Sequence, residues 1–142
     1  MAYTMKNCKV EFSADASTWI DISDESNSVT MSGFEIETEA TPVFGENKKI
    51  QTVGGYGMGT ITVRAMYLET TSGAWGLANT AYTNRGDLYV RWSPRGSSTG
   101  YYKFTSDAGV VKSPVWPVGE DGAAAIMPEV VIETTGVTQG AN

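Results

Sequence analysis

The chain contains no histidine in 142 residues, which closes off several chemistries at once. A Ser-His-Asp or Cys-His nucleophile cannot be assembled. A zinc site would lack its usual nitrogen ligand and have a single thiolate. That thiolate, Cys8, is the only cysteine, so no internal disulfide can form, in keeping with folding in a reducing compartment. A free cysteine is most often a half-buried or buried residue, and Cys8 is read as one in a strand. The acidic run Asp21-Ile22-Ser23-Asp24-Glu25 could hold calcium weakly, but it lacks the spacing of an EF-hand loop and reads better as a solvated turn. Gly54-Gly55-Tyr56-Gly57-Met58-Gly59 has the glycines of a phosphate-cradling loop without the lysine or the following helix. No carboxylate pair stands out for glycoside hydrolysis. The expectation is a protein without catalytic, cofactor or metal sites, and not an enzyme.

Two other groups of residues remain. Glu35, Glu37 and Glu39 alternate with Phe34 and Ile36, and Glu129 and Glu133 alternate with Val130 and Ile132. Like charges on neighbouring positions are tolerated where water solvates them, so each set marks an acidic strand face. The second group lies at residues 41–58, where Pro42, Gly45, Gly54, Gly55 and Gly57 break regularity between large apolar residues. A glycine-rich loop of this kind cannot easily bury its own hydrophobes and is expected to order against a partner. The alternative is a long β-hairpin folded back over its own core. Within the segment Phe44, Ile50 and Tyr56 are the candidate apolar anchors of a subunit interface. Lys48 and Lys49 are the candidates for pairing with acidic neighbours.

The elements that must hold these residues are mostly strands. Leu88, Val90 and Trp92 alternate with Asp87, Tyr89 and Arg91, the period-two pattern of a half-buried strand. Ser93-Pro94-Arg95-Gly96 supplies a turn, and Tyr102-Lys103-Phe104-Thr105 begins a returning strand. Lys9 to Phe12 and Thr18 to Ile22 read as an opening strand pair around the turn Ser13–Ser17. Val29 to Phe44, Thr60 to Leu68 (with Ile61, Val63, Ala65 and Tyr67 on one face) and Ile126 to Thr134 read as further β segments. Ser72 to Tyr82 is the one candidate helix, with Ser72 as N-cap, Trp75 packed on a sheet and Gly86 beyond its end. Pro114 and Pro117 exclude a central strand between them. The Gly- and Thr-rich stretch 135–142 is expected to be loose.

Composition sets the outer limits. Hydrophobic residues make up 41% and charged residues 18%, which specifies a folded chain of one domain. Nothing approaches the ~18 consecutive apolar residues of a membrane span, and no secretory h-region follows Met1. Ten Lys and Arg against sixteen Asp and Glu give a net charge of −6. Binding to phosphates relies on basic residues that release counterions, so adhesion to nucleic acid is not expected.

Several of these segments carry a family resemblance in a consistent order. They are Val10 to Ile22 with its Thr18-Trp19-Ile20-Asp21-Ile22, Ser28-Val29-Thr30-Met31-Ser32-Gly33, Thr60-Ile61-Thr62-Val63, Arg91-Trp92-Ser93-Pro94 with the turn after it, and Glu129 to Thr134. In order and spacing the chain resembles the major tail (tail tube) proteins of long-tailed bacteriophages. The resemblance implies a hexameric ring whose sheets join into a continuous barrel, with rings stacked into a tube. It also implies a tape-measure protein, a tail terminator and distal tail or baseplate proteins as partners. DNA would pass through without specific binding, along an acidic channel to which Glu35, Glu37, Glu39, Glu129 or Glu133 contribute. Such a protein is made and assembled in the host bacterial cytoplasm, resides in the virion tail and does not insert into membranes.

We therefore expect a mainly β, sandwich- or barrel-like single domain over residues 1–142. One short helix flanks it, and a long interaction loop spans about 41–58. The rival from another class is an immunoglobulin-like module that binds a host surface or a saccharide through exposed Trp19, Tyr101 and Tyr102.

Overall fold

Strict alternation of apolar and polar side chains builds two sheets that share one strand. A computed structural model describes residues 2–42, 45, 49–119, 122 and 125–142, the side chains of Lys49 and Ile50 excepted. The described residues form eleven strands and one α-helix. In chain order these are β1 (Lys9–Ser13), β2 (Ile20–Asp21), β3 (Ser26–Gly33), β4 (Ile36–Pro42), β5 (Lys49–Tyr56), β6 (Gly59–Ala65), α1 (Ala74–Asn84), β7 (Asp87–Ser93), β8 (Tyr102–Ser106), β9 (Gly109–Val111), β10 (Glu129–Thr134) and β11 (Val137–Ala141). All pairings are antiparallel.

The first sheet runs β2-β1-β7-β8-β11 and the second β3-β6-β10-β9, with the start of β7 paired to β9. Asp87 and Leu88 thus belong to the second sheet, while Tyr89 to Ser93 pair with β1 in the first. The inner faces meet as expected from the period: Val10 and Phe12, Ile61, Val63 and Ala65, Leu88 and Val90, Val111, Val130 and Ile132 are all buried. Each large side chain removed from water in this way contributes about 1.5–3 kcal/mol.

The helix lies over β1, β7 and β9. Its close packing comes from Ala74, Gly76, Ala78 and Ala81, which are buried. Trp75, expected to do this, is half-buried and packs against the same core beside them. Its indole N–H donates to the Val115 carbonyl at 2.7 Å and its ring meets Tyr67 edge-on at 4.9 Å. Ser72 is not the cap: Gly73 takes that position without a side-chain bond, and the Ala74 N–H reaches the Glu25 carboxylate at 3.4 Å. A residue from a distant turn therefore does what a local serine was expected to do.

The stretch 135–142 is not loose. β11 pairs with β8 over five residues, and the Asn142 side-chain amide donates to the Tyr101 carbonyl at 3.0 Å and the Ser93 hydroxyl at 3.3 Å. The segment's Gly and Thr content has low intrinsic order, but β8 supplies a complete partner strand, and ladder pairing overrides composition.

Candidate assembly surface

The segment expected as an irregular loop is a two-stranded ribbon. β4 and β5 form a sheet of their own and make no comparable contact with the rest of the protein. The ribbon begins five residues before the loop expected from Thr41, and Thr41, Pro42 and residues 49–56 are strand rather than loop. Nor does it fold back over the core: every described side chain of β4 and of Gln51–Tyr56 is exposed.

Its root is set by backbone geometry. Gly33 (φ 84°) and Phe34 (φ 59°) are both left-handed, so the chain turns out of β3 before starting β4. A Cβ on Gly33 would come within 2.8 Å of the Met58 carbonyl oxygen and of the Gly59 Cα, so only glycine allows the two chains to approach this closely. The Phe34 N–H donates to Met58 O at 3.3 Å, and the Gly57 N–H donates to Glu35 O at 2.8 Å. The Phe34 ring lies directly against Gly59 and packs on the edge of the core.

The register then sorts side chains by chemistry. Ile36 faces Tyr56, Thr38 faces Val53 and Ala40 faces Gln51, while Pro42 pairs with Lys49 by backbone, and a bulge at Gly54 and Gly55 keeps Ile36 and Thr38 on one side. Side chains opposite each other share a face, so Ile36, Ala40, Pro42, Val53 and Tyr56 make one mainly apolar face, which also carries the uncharged Thr38 and Gln51. Glu35, Glu37 and Glu39 make the reverse face. The apolar face is uncovered: Ile36 is 50%, Val53 69% and Tyr56 75% exposed.

Of the interface candidates, Tyr56 lies at the ribbon root. Lys49 and Ile50 belong to β5 by backbone, and their side chains lie outside the described set, as do Phe44 and Lys48 entirely. The five glutamates proposed as a channel lining lie on two different surfaces. Glu129 and Glu133 stand on the outer face of the second sheet, where Glu129 opposes Arg64 and Glu133 lies 3.7 Å from Lys112 Nζ. Around them are hydroxyls: Thr30 opposes Thr62, and Ser32 opposes Thr60. Among the described residues, the ribbon's Glu39 opposes Thr52 rather than a cation, unlike Glu129 and Glu133.

One feature has no local signature in the sequence. An open groove of about 660 Å³ runs from the ribbon root between the sheets, lined by Met31, Phe34, Tyr56, Trp92, Phe104 and Val137, with Asp107 the charged residue among the described lining. Trp92 and Phe104 stack at 5.6 Å along its floor. Its signal was present only as the alternation of Phe104 and Val137 in strands whose pairing could not be known.

The rival platform is not assembled. Trp19 is covered by the Arg91 guanidinium at 4.2 Å, and Tyr101 by Arg95 at 4.0 Å, with Tyr3 on Arg95 at 3.9 Å. Two of the three aromatics thus present their faces to different arginines. Cys8 is half-buried, and burial raises its thiol pKa against the opposing effect of a Ser93 backbone hydrogen bond. Among the described residues no cluster of three or more His, Cys, Asp or Glu could hold a metal, and no helix is long and apolar enough to cross a membrane.

Comparison of the whole fold with solved structures gives strong matches. A chain of the sheath–tube complex of an extracellular contractile injection system (PVC, extended state) superimposes with a TM-score of 0.65 at 15% identity, covering 96% of this chain and 89% of that one. The chain has the tail-tube fold. The sheath/tube terminator of the same system matches with a TM-score of 0.66 at 11% identity, over 99% of this chain and 98% of the terminator. The tube-terminating cap of the anti-feeding prophage matches with a TM-score of 0.64 at 10% identity, over 100% and 94%. No protein-family model and no curated protein matches by sequence.

Proposed function

We propose that this protein is a structural component of a phage-type tail, which self-assembles into stacked hexameric rings that form the tail tube and conduct the genome into the host. The observation that carries this reading is the uncovered amphipathic ribbon on a tail-tube fold. A two-stranded ribbon alone is marginal in water, and exposed apolar surface of this kind marks an interaction site. Contact between the ribbon and a different surface of the next copy is heterologous, which closes into rings or extends into filaments. The acidic face of the ribbon and the hydroxyl-rich face of the second sheet are the candidates for a lumen that does not retain DNA. Tape-measure, terminator and baseplate proteins would be the further partners, with assembly in the bacterial cytoplasm.

Negative-stain electron microscopy of concentrated protein, with light scattering alongside, tests this. Hollow rings or tubes of uniform width are the expected result, and a dispersed monomer at all concentrations counts against it. A second reading is the tube terminator, favoured by the fuller coverage of the two terminator chains, 98% and 94% against 89%. A terminator would give single rings that never lengthen.

A further inference from the structure

The ribbon's uncovered apolar face and the open groove at its root belong to one molecule. Tyr56 and Phe34 line the groove where the ribbon leaves the body. Past that point the ribbon's own side chains are exposed, so it does not lie in its own groove. The groove therefore needs an occupant from outside.

Three observations define that occupant. The floor is aromatic and aliphatic, so the occupant presents apolar side chains. Thr135 to Gln139 form one wall, and β11, which supplies Val137, Thr138 and Gln139, is among the described residues an edge strand paired on its β8 side. Alternate N–H and C=O groups of such a strand point outward unpaired, and extended chain satisfies them where a helix does not. Asp107 on the rim repels carboxylates, so the occupant's apolar face must be free of them. The β4–β5 ribbon meets all three requirements: it is extended, it is apolar through Ile36, Ala40, Pro42, Val53 and Tyr56, and its glutamates point the other way.

We propose that the groove receives the apolar face of the β4–β5 ribbon from a second copy of this chain, laid beside the free edge of β11. The inference rests on the self-assembly reading and names the acceptor surface it requires. Docking in this way leaves Glu35, Glu37 and Glu39 of the incoming ribbon facing solvent.

Cysteine cross-linking between separately labelled chains tests it. In a Cys8→Ser background, protein carrying Val53→Cys is mixed with protein carrying Gln139→Cys at high concentration and mildly oxidised. The control mixture pairs Val53→Cys with Thr80→Cys, an exposed position on α1. Mass spectrometry is expected to find the 53–139 heterodimer at least tenfold above the control. A yield equal to the control overturns the proposal. If tubes form under that condition, the tube function stands and only the acceptor is wrong. Heterodimers without rings or tubes support the groove and count against the tube. A chain carrying both cysteines that closes only within itself at dilution also overturns the proposal, since the ribbon would then reach its own groove.

Discussion

Arg91 grips Glu11 through two parallel hydrogen bonds, Nε to Oε1 at 3.1 Å and Nη2 to Oε2 at 2.9 Å, between residues directly paired across β1 and β7. Glu11 is only 8% exposed, and the Trp19 ring lies against the free face of the guanidinium. The outer face of the first sheet is thus closed by an ion pair under an aromatic lid rather than left to solvent.

Removing both partners should cost less than the two separate removals added together. Arg91→Ala leaves a largely buried carboxylate unpaired, and a loss of about 3 kcal/mol is expected. The double variant Glu11→Ala/Arg91→Ala should lose less than the sum of the two single variants. Urea unfolding at neutral pH, with unchanged denaturant slope, measures both.

Gly76→Ala should destabilise the protein although it lies inside a helix. On propensity alone alanine gains up to about 1 kcal/mol there. A Cβ at this position, however, would overlap the Thr70 carbonyl oxygen and come within 2.8 Å of the Thr71 Cα. A net loss of roughly 1–3 kcal/mol is expected from this overpacking, read as a lowered thermal midpoint with no change in assembly of the folded protein.

That glycine also shows where sequence stops being informative. Alternation placed the strands around Phe12, Val63, Val90 and Ile132 correctly, because burial on one face leaves a period-two trace. The helix was visible, yet nothing in its pattern marks Gly76 as the point of close approach to residues 70–71. Residues 41–58 were expected as a loop ordered against a partner; the exposed β4–β5 ribbon found there was not foreseen, since its strands gain their order from each other and from the Gly33–Phe34 turn. The groove required knowing that β8 and β11 pair, which no local pattern encodes.

Asp15 links the first turn to pH. Its carboxylate accepts hydrogen bonds from the Thr18 N–H at 2.9 Å, the Ser17 N–H at 3.0 Å and the Ser13 hydroxyl at 3.1 Å. Led by the Thr18 bond, these lower its pKa to about 2. A carboxylate depressed in the folded state stabilises above its unfolded pKa, near 3.9, and that contribution disappears as pH falls through the folded value. The stability difference between the native protein and Asp15→Ala should therefore be full at pH 6 and shrink between pH 4 and 2. Carboxyl-carbon NMR titration gives the folded pKa directly, and a value near 3.9 would refute the turn's role.

Val53→Asp should separate folding from assembly. Val53 is 69% exposed, so the isolated chain is expected to unfold within about 0.5 kcal/mol of the native protein. A carboxylate on the ribbon's apolar face should nevertheless abolish ring or tube formation, scored by light scattering and electron microscopy.

The separation of Glu11 and Arg91 by 80 residues has a consequence in time. The ribbon is a local hairpin, and such pairs form in about 1–10 μs. The first sheet joins β1 to β7 and β8 to β11, and pairings this distant in sequence place a fold among the millisecond-to-second class. The donor surface is therefore ready early, while its proposed acceptor closes only when residues near 92, 104 and 137 have met. In the proposed assembly a half-folded chain can offer an arm but cannot yet receive one, which restricts growth to molecules that have finished folding.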